Sequence, residues 1–353
     1  MDRIIVGIHG LNNKVDCRTL KNWWQLSIYE GIKGAGLKML PVNFELLYWA
    51  DLLYPSPLLP HITDENHPLY LSKPYKKTTS SIAQRDSRLR SLMLNRLEQV
   101  TDRLFKYPSF FNRFSDISTQ LLYKRFRDFY DYMYGKTGFH DAASRPVRQV
   151  IQERLVALLR RHHRRKICIM AHSMGSIIVY DVLTQTPDLP EIELLITMGS
   201  PLGQPALLKN LNLTFEKIQT PPQIKEWHNL ADLHDIIAFN YSLSDDFLPN
   251  ANAVAPVDHT VHNAYTWEGA ADAHNIFGYL QTQNCASLIS LFLRRERHPV
   301  ALAVTENMFN LYLRWFQPFK RMRAASPVRP ESAPRKRKSI FNREEQFDHQ
   351  IKN

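Results

Sequence analysis

Residues 166–180 read Lys-Ile-Cys-Ile-Met-Ala-His-Ser-Met-Gly-Ser-Ile-Ile-Val-Tyr, and no other stretch constrains the fold as strongly. The first part is apolar at successive positions, so both faces of the strand it predicts must be covered. An apolar helical segment is predicted over 176–183, separated from the strand only by the turn around Ser173. A strand that passes so directly into a helix belongs to a sheet whose strands are joined by helices and therefore run parallel. Ala171 and Gly175, two residues on either side of Ser173, are small enough for a strained turn and a close helix-to-strand approach.

The same rhythm recurs along the chain. Buried strands are predicted at 3–9, 44–49, 167–171, 192–198 and 224–230. Residues 17–32 space Leu20, Trp23, Trp24, Ile28 and Ile32 as one helix face and end at Gly34-Ala35-Gly36. Pro146 suits the first turn of a second helix, running to about residue 163 with Val147, Val150, Ile151, Leu155 and Leu158 on one side. The fold class this predicts is α/β, a mostly parallel central sheet with helices on both faces.

Two regions depart from the rhythm. Residues 51–145 are too long for an ordinary strand-to-helix connection and predict a large helical insertion, a cap or lid, within a core formed by 1–50 and 146–319. Prolines 55, 57, 60, 68 and 74 make its first part irregular, and 12 of the 36 residues from Leu104 to Phe139 are aromatic. There Ile117, Leu121, Leu122, Phe126, Phe129 and Met133 share one helical face, with Lys124, Arg125 and Arg127 interleaved near it. Residues 320–353 lack periodicity, contain Arg335-Lys336-Arg337-Lys338, and are expected to be a disordered basic tail. The net charge of +11 is carried by these two regions. The core holds 20 basic and 20 acidic residues, the insertion 15 and 10, and the tail 10 and 4. Peripheral contact with a membrane through 51–145 and the tail is the partner this distribution suggests, and nucleic acid is not expected.

Three widely spaced cysteines, Cys17, Cys168 and Cys285, form neither a disulfide framework nor a metal-ligand pattern. No metal or cofactor is expected. The first residues enter a strand almost at once, without the charged and apolar regions of a secretory signal. Apolar runs fall well short of the roughly 20 residues of a spanning helix. A cytoplasmic location follows as an expectation.

Ser173 on its turn is the candidate nucleophile, and the chain also holds the other groups that nucleophilic acyl transfer requires. His9-Gly10 after the first strand would aim the Leu11 amide at an oxyanion, together with the amide of Met174. Asn12 is a weaker third donor. Asp235, opening Asp-Ile-Ile-Ala, is the preferred acid, with Asp232 the alternative and Asp258 a more distant one. His274, just before an apolar helical stretch, is the preferred base over His259 and His262. His9, His172 and His234 are expected to be structural, and His259 to share a loop with Asp258.

Four segments carry a resemblance: Ile5-Val-Gly-Ile-His-Gly-Leu-Asn-Asn-Lys, Tyr48-Trp-Ala-Asp, Ala171-His-Ser-Met-Gly-Ser and Met198-Gly-Ser-Pro-Leu-Gly. Over about residues 3–285 the chain resembles the α/β-hydrolases, and more narrowly bacterial intracellular lipase/esterase-like serine hydrolases. The resemblance implies an α/β-hydrolase fold, a Ser173–His274–Asp235 triad, and cleavage of a small-molecule or lipid ester through an acyl-enzyme. It also implies a pocket near the nucleophile lined by His9, Gly10, Asn12, Ser200, Pro201 and Leu202. Alanine at 171 and asparagine at 12 stand where relatives often carry glycine. Peptidase, amidase or thioesterase chemistry on the same triad, or a non-catalytic binding module on this fold, are the alternatives.

Overall fold

The computed structural model describes residues 3–77, 127–137, 144–203, 218–235, 237–238, 241–295 and 299–316. Six parallel strands form the central sheet: β1 (Arg3–Ile8), β2 (Phe44–Leu47), β3 (Lys166–His172), β4 (Ile192–Met198), β5 (Trp227–Ala231) and β6 (Pro256–Thr260). Their spatial order is β2-β1-β3-β4-β5-β6. The fold is therefore α/β. A separate two-residue hairpin pairs β7 (Thr266–Trp267) with β8 (Ala270–Ala271).

Seven helices accompany the strands among the described residues: α1 (Cys17–Gly34), α2 (Arg127–Tyr134), α3 (Val147–Arg161), α4 (Met174–Gln185), α5 (Ile276–Gln281), α6 (Gln283–Arg294) and α7 (Pro299–Phe316). The alternation of side chains along each strand divides the core in two. Ile4, Val6 and Ile8 of β1, with Ile167, Ile169 and Ala171 of β3, pack with α2, α3 and α4. Ile5, Cys168 and Met170 point the other way and pack with α1, α5 and α6. Both faces of the central strands are dry, which is why their sequences read as unbroken apolar runs.

Asp16 caps α1 by accepting from the Thr19 amide at 3.0 Å, and Pro146 precedes α3. α4 is buried at every position from Met174 to Leu183, so it begins and ends beyond the predicted 176–183. β2 stops at Leu47, short of the predicted 49, because Ala50–Leu52 turn into a 3₁₀ helix. β5 begins at Trp227, three residues after the predicted start; Ile224 contributes only an isolated bridge to Ile192.

One expectation is corrected. Asp258 and His259 lie on β6, a sixth strand, and not in a loop. This edge strand pairs only with β5, so Pro256 can occupy its first position without losing a ladder bond. Residues 53–77 contain no helix or strand, in keeping with their prolines. Of the predicted insertion face, Phe129 is buried on α2 and Met133 half-buried; Ile117, Leu121, Leu122 and Phe126 lie outside the described residues, as does the tail. Among the described residues no helix is long and apolar enough to cross a membrane.

Candidate active site

Because the six strands are parallel, the segments that follow β1, β3, β4 and β5 leave the sheet at one edge. In such sheets this carboxyl edge is where ligands bind. Ser173 sits there between β3 and α4, with φ +52° and ψ −125°, a conformation that a side-chain-bearing residue adopts only under constraint. Two close approaches supply the constraint. A Cβ on Gly175 would lie 2.5 Å from the Ile8 carbonyl oxygen, so only glycine lets α4 sit this near β1. A Cβ on Gly10 would lie 2.8 Å from the Ser173 Cβ, which puts the turn after β1 directly against the serine.

The Ser173 Oγ is 3.0 Å from His274 Nε2. On the other side of the ring, His274 Nδ1 is 2.9 and 2.8 Å from the two carboxylate oxygens of Asp235. A carboxylate only accepts, so Nδ1 carries the proton and Nε2 accepts from the Ser173 hydroxyl. The three residues selected by sequence are thus joined in one hydrogen-bonded line.

The line is held from behind. The buried Tyr279 hydroxyl donates to Asp235 Oδ2 at 2.7 Å and accepts from the Asp232 amide at 3.0 Å. Burial first, and then the Asp235 charge, push this phenol far above its ordinary range, so it remains a donor. The Ile237 amide donates to Asp235 Oδ1 at 2.9 Å. The backbone around His274 is held at three consecutive carbonyls. Asn263 Nδ2 donates to those of Ala273 (2.9 Å) and Asn275 (2.8 Å), and His172 Nε2 donates to that of His274 (2.9 Å). Burial, and then the neighbouring His274, hold His172 well below the usual imidazole range, so it serves as a neutral donor.

Asp232, the alternative acid, is differently employed. It is buried, and its oxygens accept from the His234 amide at 2.8 Å and the Asn263 amide at 2.6 Å. It therefore fastens the segment after β5 to the one after β6. Asp258 accepts from Asn229, Ser242, Leu243 and Ser244, which ties the 242–244 turn to the edge of the sheet. His259 pairs with His228 at 2.7 Å. His262 lies 3.5 Å from Asp232. None of these four side chains joins the Ser173–His274 line.

On the β1 side, the Trp49 amide donates to His9 Nε2 at 3.1 Å, so the proton sits on Nδ1 and goes to the Gly10 carbonyl at 2.9 Å. Burial, and then the nearby Lys14 charge, bring His9 down to about 3, and the ring stays neutral. In a trans peptide the N–H points opposite to the C=O. Holding the Gly10 oxygen therefore sets the direction of the Leu11 N–H. Met174 is the first residue of α4, and its N–H has no intrahelical partner. The Asn12 amide, by contrast, donates to Asp128 Oδ2 at 2.5 Å, so it is not a spare oxyanion donor.

Ser200 Oγ lies 2.7 Å from Ser176 Oγ, whose hydrogen goes to the Ser173 carbonyl at 2.6 Å. The Leu202 amide donates to Ser200 Oγ at 3.2 Å. The turn after β4 is in this way stitched to the base of the serine turn, and Pro201 and Leu202 are buried. The residues that sequence reasoning missed are Tyr279 and Asn263. Tyr279 stands in the apolar helical stretch just after His274, but nothing in sequence marks its hydroxyl as a partner of the acid. No three His, Cys, Asp or Glu side chains are grouped so as to hold a metal ion among the described residues.

Comparison with known protein families, curated proteins and solved structures finds no match to this chain.

Proposed function

We propose that the protein is a serine hydrolase of α/β-hydrolase fold that cleaves a carboxylic ester through an acyl-enzyme. The observation that carries this reading is the continuous line from Ser173 Oγ through His274 to Asp235. It ends on a serine held at positive φ at the carboxyl edge of a parallel sheet.

The chemistry is as follows. As Ser173 Oγ bonds to the acyl carbon, its proton passes to His274 Nε2 and the carbonyl electron pair moves onto oxygen. The Asp235 carboxylate steadies the imidazolium. The amides of Leu11 and Met174 receive the oxyanion. Collapse expels the alkoxide, which takes the proton from His274. Water then adds to the acyl-enzyme, giving a proton to the same nitrogen. The second collapse releases the acid and returns the proton to Ser173.

An apolar or lipid-like ester is favoured by the aromatic run within 104–139, and by Tyr130 and Tyr134, which are exposed on α2. The three cysteines are free thiols, which suits a reducing, cytoplasmic setting. A fluorophosphonate probe tests the core of the proposal. It should label the wild-type chain and leave Ser173→Ala unlabelled. An unlabelled wild type, or equal labelling of the two, would overturn it.

A further inference from the structure

The Leu11–Asn12 peptide is held at both of its polar ends. Lys14 Nζ donates to the Leu11 carbonyl, and the Asn12 N–H donates to Asp128 Oδ2 at 2.5 Å. The second oxygen of Asp128 accepts from the Tyr54 hydroxyl at 2.6 Å. Asp128 is buried, and it comes from α2, more than a hundred residues away in sequence. Asn12 itself is at φ +71°, in the left-handed region that asparagine tolerates better than most side-chain-bearing residues. Lys14 is in turn fixed by its own backbone: its carbonyl accepts from the Leu58 amide at 2.8 Å, and its amide donates to Asn13 Oδ1 at 2.8 Å.

From this geometry we infer that Lys14 and Asp128 form a charged clasp that sets the oxyanion loop, making them positioning residues for the proposed hydrolysis. This role rests on the serine-hydrolase reading and extends it. His9 holds the Gly10–Leu11 peptide through the Gly10 oxygen. The clasp holds the next peptide from opposite sides. With the planes on both sides of Leu11 Cα fixed, the Leu11 N–H, which lies in the first of them, keeps one direction, and the turn keeps its place against Ser173. Hydrogen bonds to charged groups are about twice as strong as neutral ones, and a clasp of opposite charges resists rotation of the peptide in either sense. Burial draws the Lys14 ammonium down to about 8, and the nearby Asp128 charge opposes that shift.

The clasp also assigns a role to the returning end of the 51–145 segment. Its α2 brings the carboxylate that the N-terminal turn lacks, so the site is incomplete without it. Tyr54, near the start of the same segment, holds the other carboxylate oxygen.

The test uses the full chain and four proteins: wild type, Asp128→Asn, Lys14→Met and Tyr54→Phe. Each is assayed on a p-nitrophenyl ester and for inhibition by a trifluoromethyl ketone, whose adduct carries an oxyanion. Loss of one oxyanion-hole donor lowers kcat by about 100- to 1000-fold, and a donor left in place but unsteadied should cost less. Asp128→Asn and Lys14→Met are expected to lower kcat by about 10- to 100-fold with KM within about threefold, and to weaken the ketone by the same factor. Tyr54→Phe should give a smaller change in the same direction.

A merely structural clasp would lower the melting temperature and leave kcat and ketone affinity per folded molecule unchanged. That result in folded Asp128→Asn and Lys14→Met overturns the inference while leaving the triad intact. If Asp128→Asn does not fold, Lys14→Met and Tyr54→Phe decide by the same criterion. An unlabelled wild type in the fluorophosphonate experiment removes the serine-hydrolase reading, and the clasp with it.

Discussion

Gly199 offers the sharpest test of how the acid and base are held. It follows β4 at φ +53°, a region where any side chain is strained, and it faces the back of the triad. A Cβ built there would lie 2.7 Å from Asp235 Oδ2, 3.1 Å from His274 Nδ1 and 3.1 Å from Tyr279 Cε2. Carbon and oxygen ordinarily approach no closer than about 3.3 Å, so in Gly199→Ala the carboxylate must retreat by about 0.6 Å or more. Oδ2 is also the atom that accepts from Tyr279 and lies 2.8 Å from His274 Nδ1, so its retreat loosens both bonds. A misplacement on the order of 1 Å in a catalytic set costs about 100-fold. We therefore expect kcat for ester hydrolysis to fall by about 30- to 100-fold, or about 2–3 kcal/mol of barrier. The left-handed backbone adds roughly 1–2 kcal/mol of lost stability, visible as a melting temperature lower by a few degrees. The assay is steady-state hydrolysis alongside thermal unfolding. A folded Gly199→Ala with kcat within about twofold of wild type would refute the claim that this contact sets the triad.

Tyr279→Phe removes a buried donor from Asp235 and a buried acceptor from the Asp232 amide. Urea unfolding should show a loss of about 1–3 kcal/mol, and kcat should drop by about tenfold; no change in either would mean that water replaces the hydroxyl without cost. Stability should also fall on mild acidification. Burial holds His9 and His172 below the ordinary 6.5, so the unfolded chain takes up protons that the folded chain does not. Their contribution is complete above pH 6.5 and is lost as pH falls below it, at about 1.4 kcal/mol per pH unit for each fully neutral ring, and for His9 down to about 3. Urea curves at pH 7.5 and 5.5 check this, and equal stabilities at the two values would contradict it.

The parts of the molecule that were readable in sequence are those where local chemistry and tertiary need coincide. The β3–Ser173–α4 unit is contiguous, and its apolar runs and small residues appear in the order in which they pack. The β1 strand and α1 are read as easily, for the same reason. β6 escaped because an edge strand needs only one ladder and one covered face, so Pro-Val-Asp-His-Thr carries little apolar signal. Asp235 is preferred to Asp232 in sequence only through the Asp-Ile-Ile-Ala turn it opens, since each follows β5 closely. What separates them is Tyr279 and His274, which arrive some forty residues later. The Lys14–Asp128 clasp could not be read from sequence: Lys14 closes the quoted segment after β1, but nothing there marks Asp128 as its counterpart, and their meeting depends on how the 51–145 segment returns. The expected cap over the site falls mainly on residues outside those described; its α2 end is what reaches the site.

The sheet order has a consequence for how the chain is made. β1 is synthesised long before β3, yet it lies inside the sheet, between β2 and β3. β2 can cover one side early, but β3 begins at Lys166. At about 5–20 residues per second, on the order of ten seconds pass before the second flank of Ile4-Ile5-Val6 exists. Throughout that interval the nascent chain carries an open, strongly apolar strand edge, the kind that seeds aggregation. A ribosome-bound fragment ending near residue 160 should therefore depend on holdase chaperones to stay in solution, and one extended through β3 should depend on them much less.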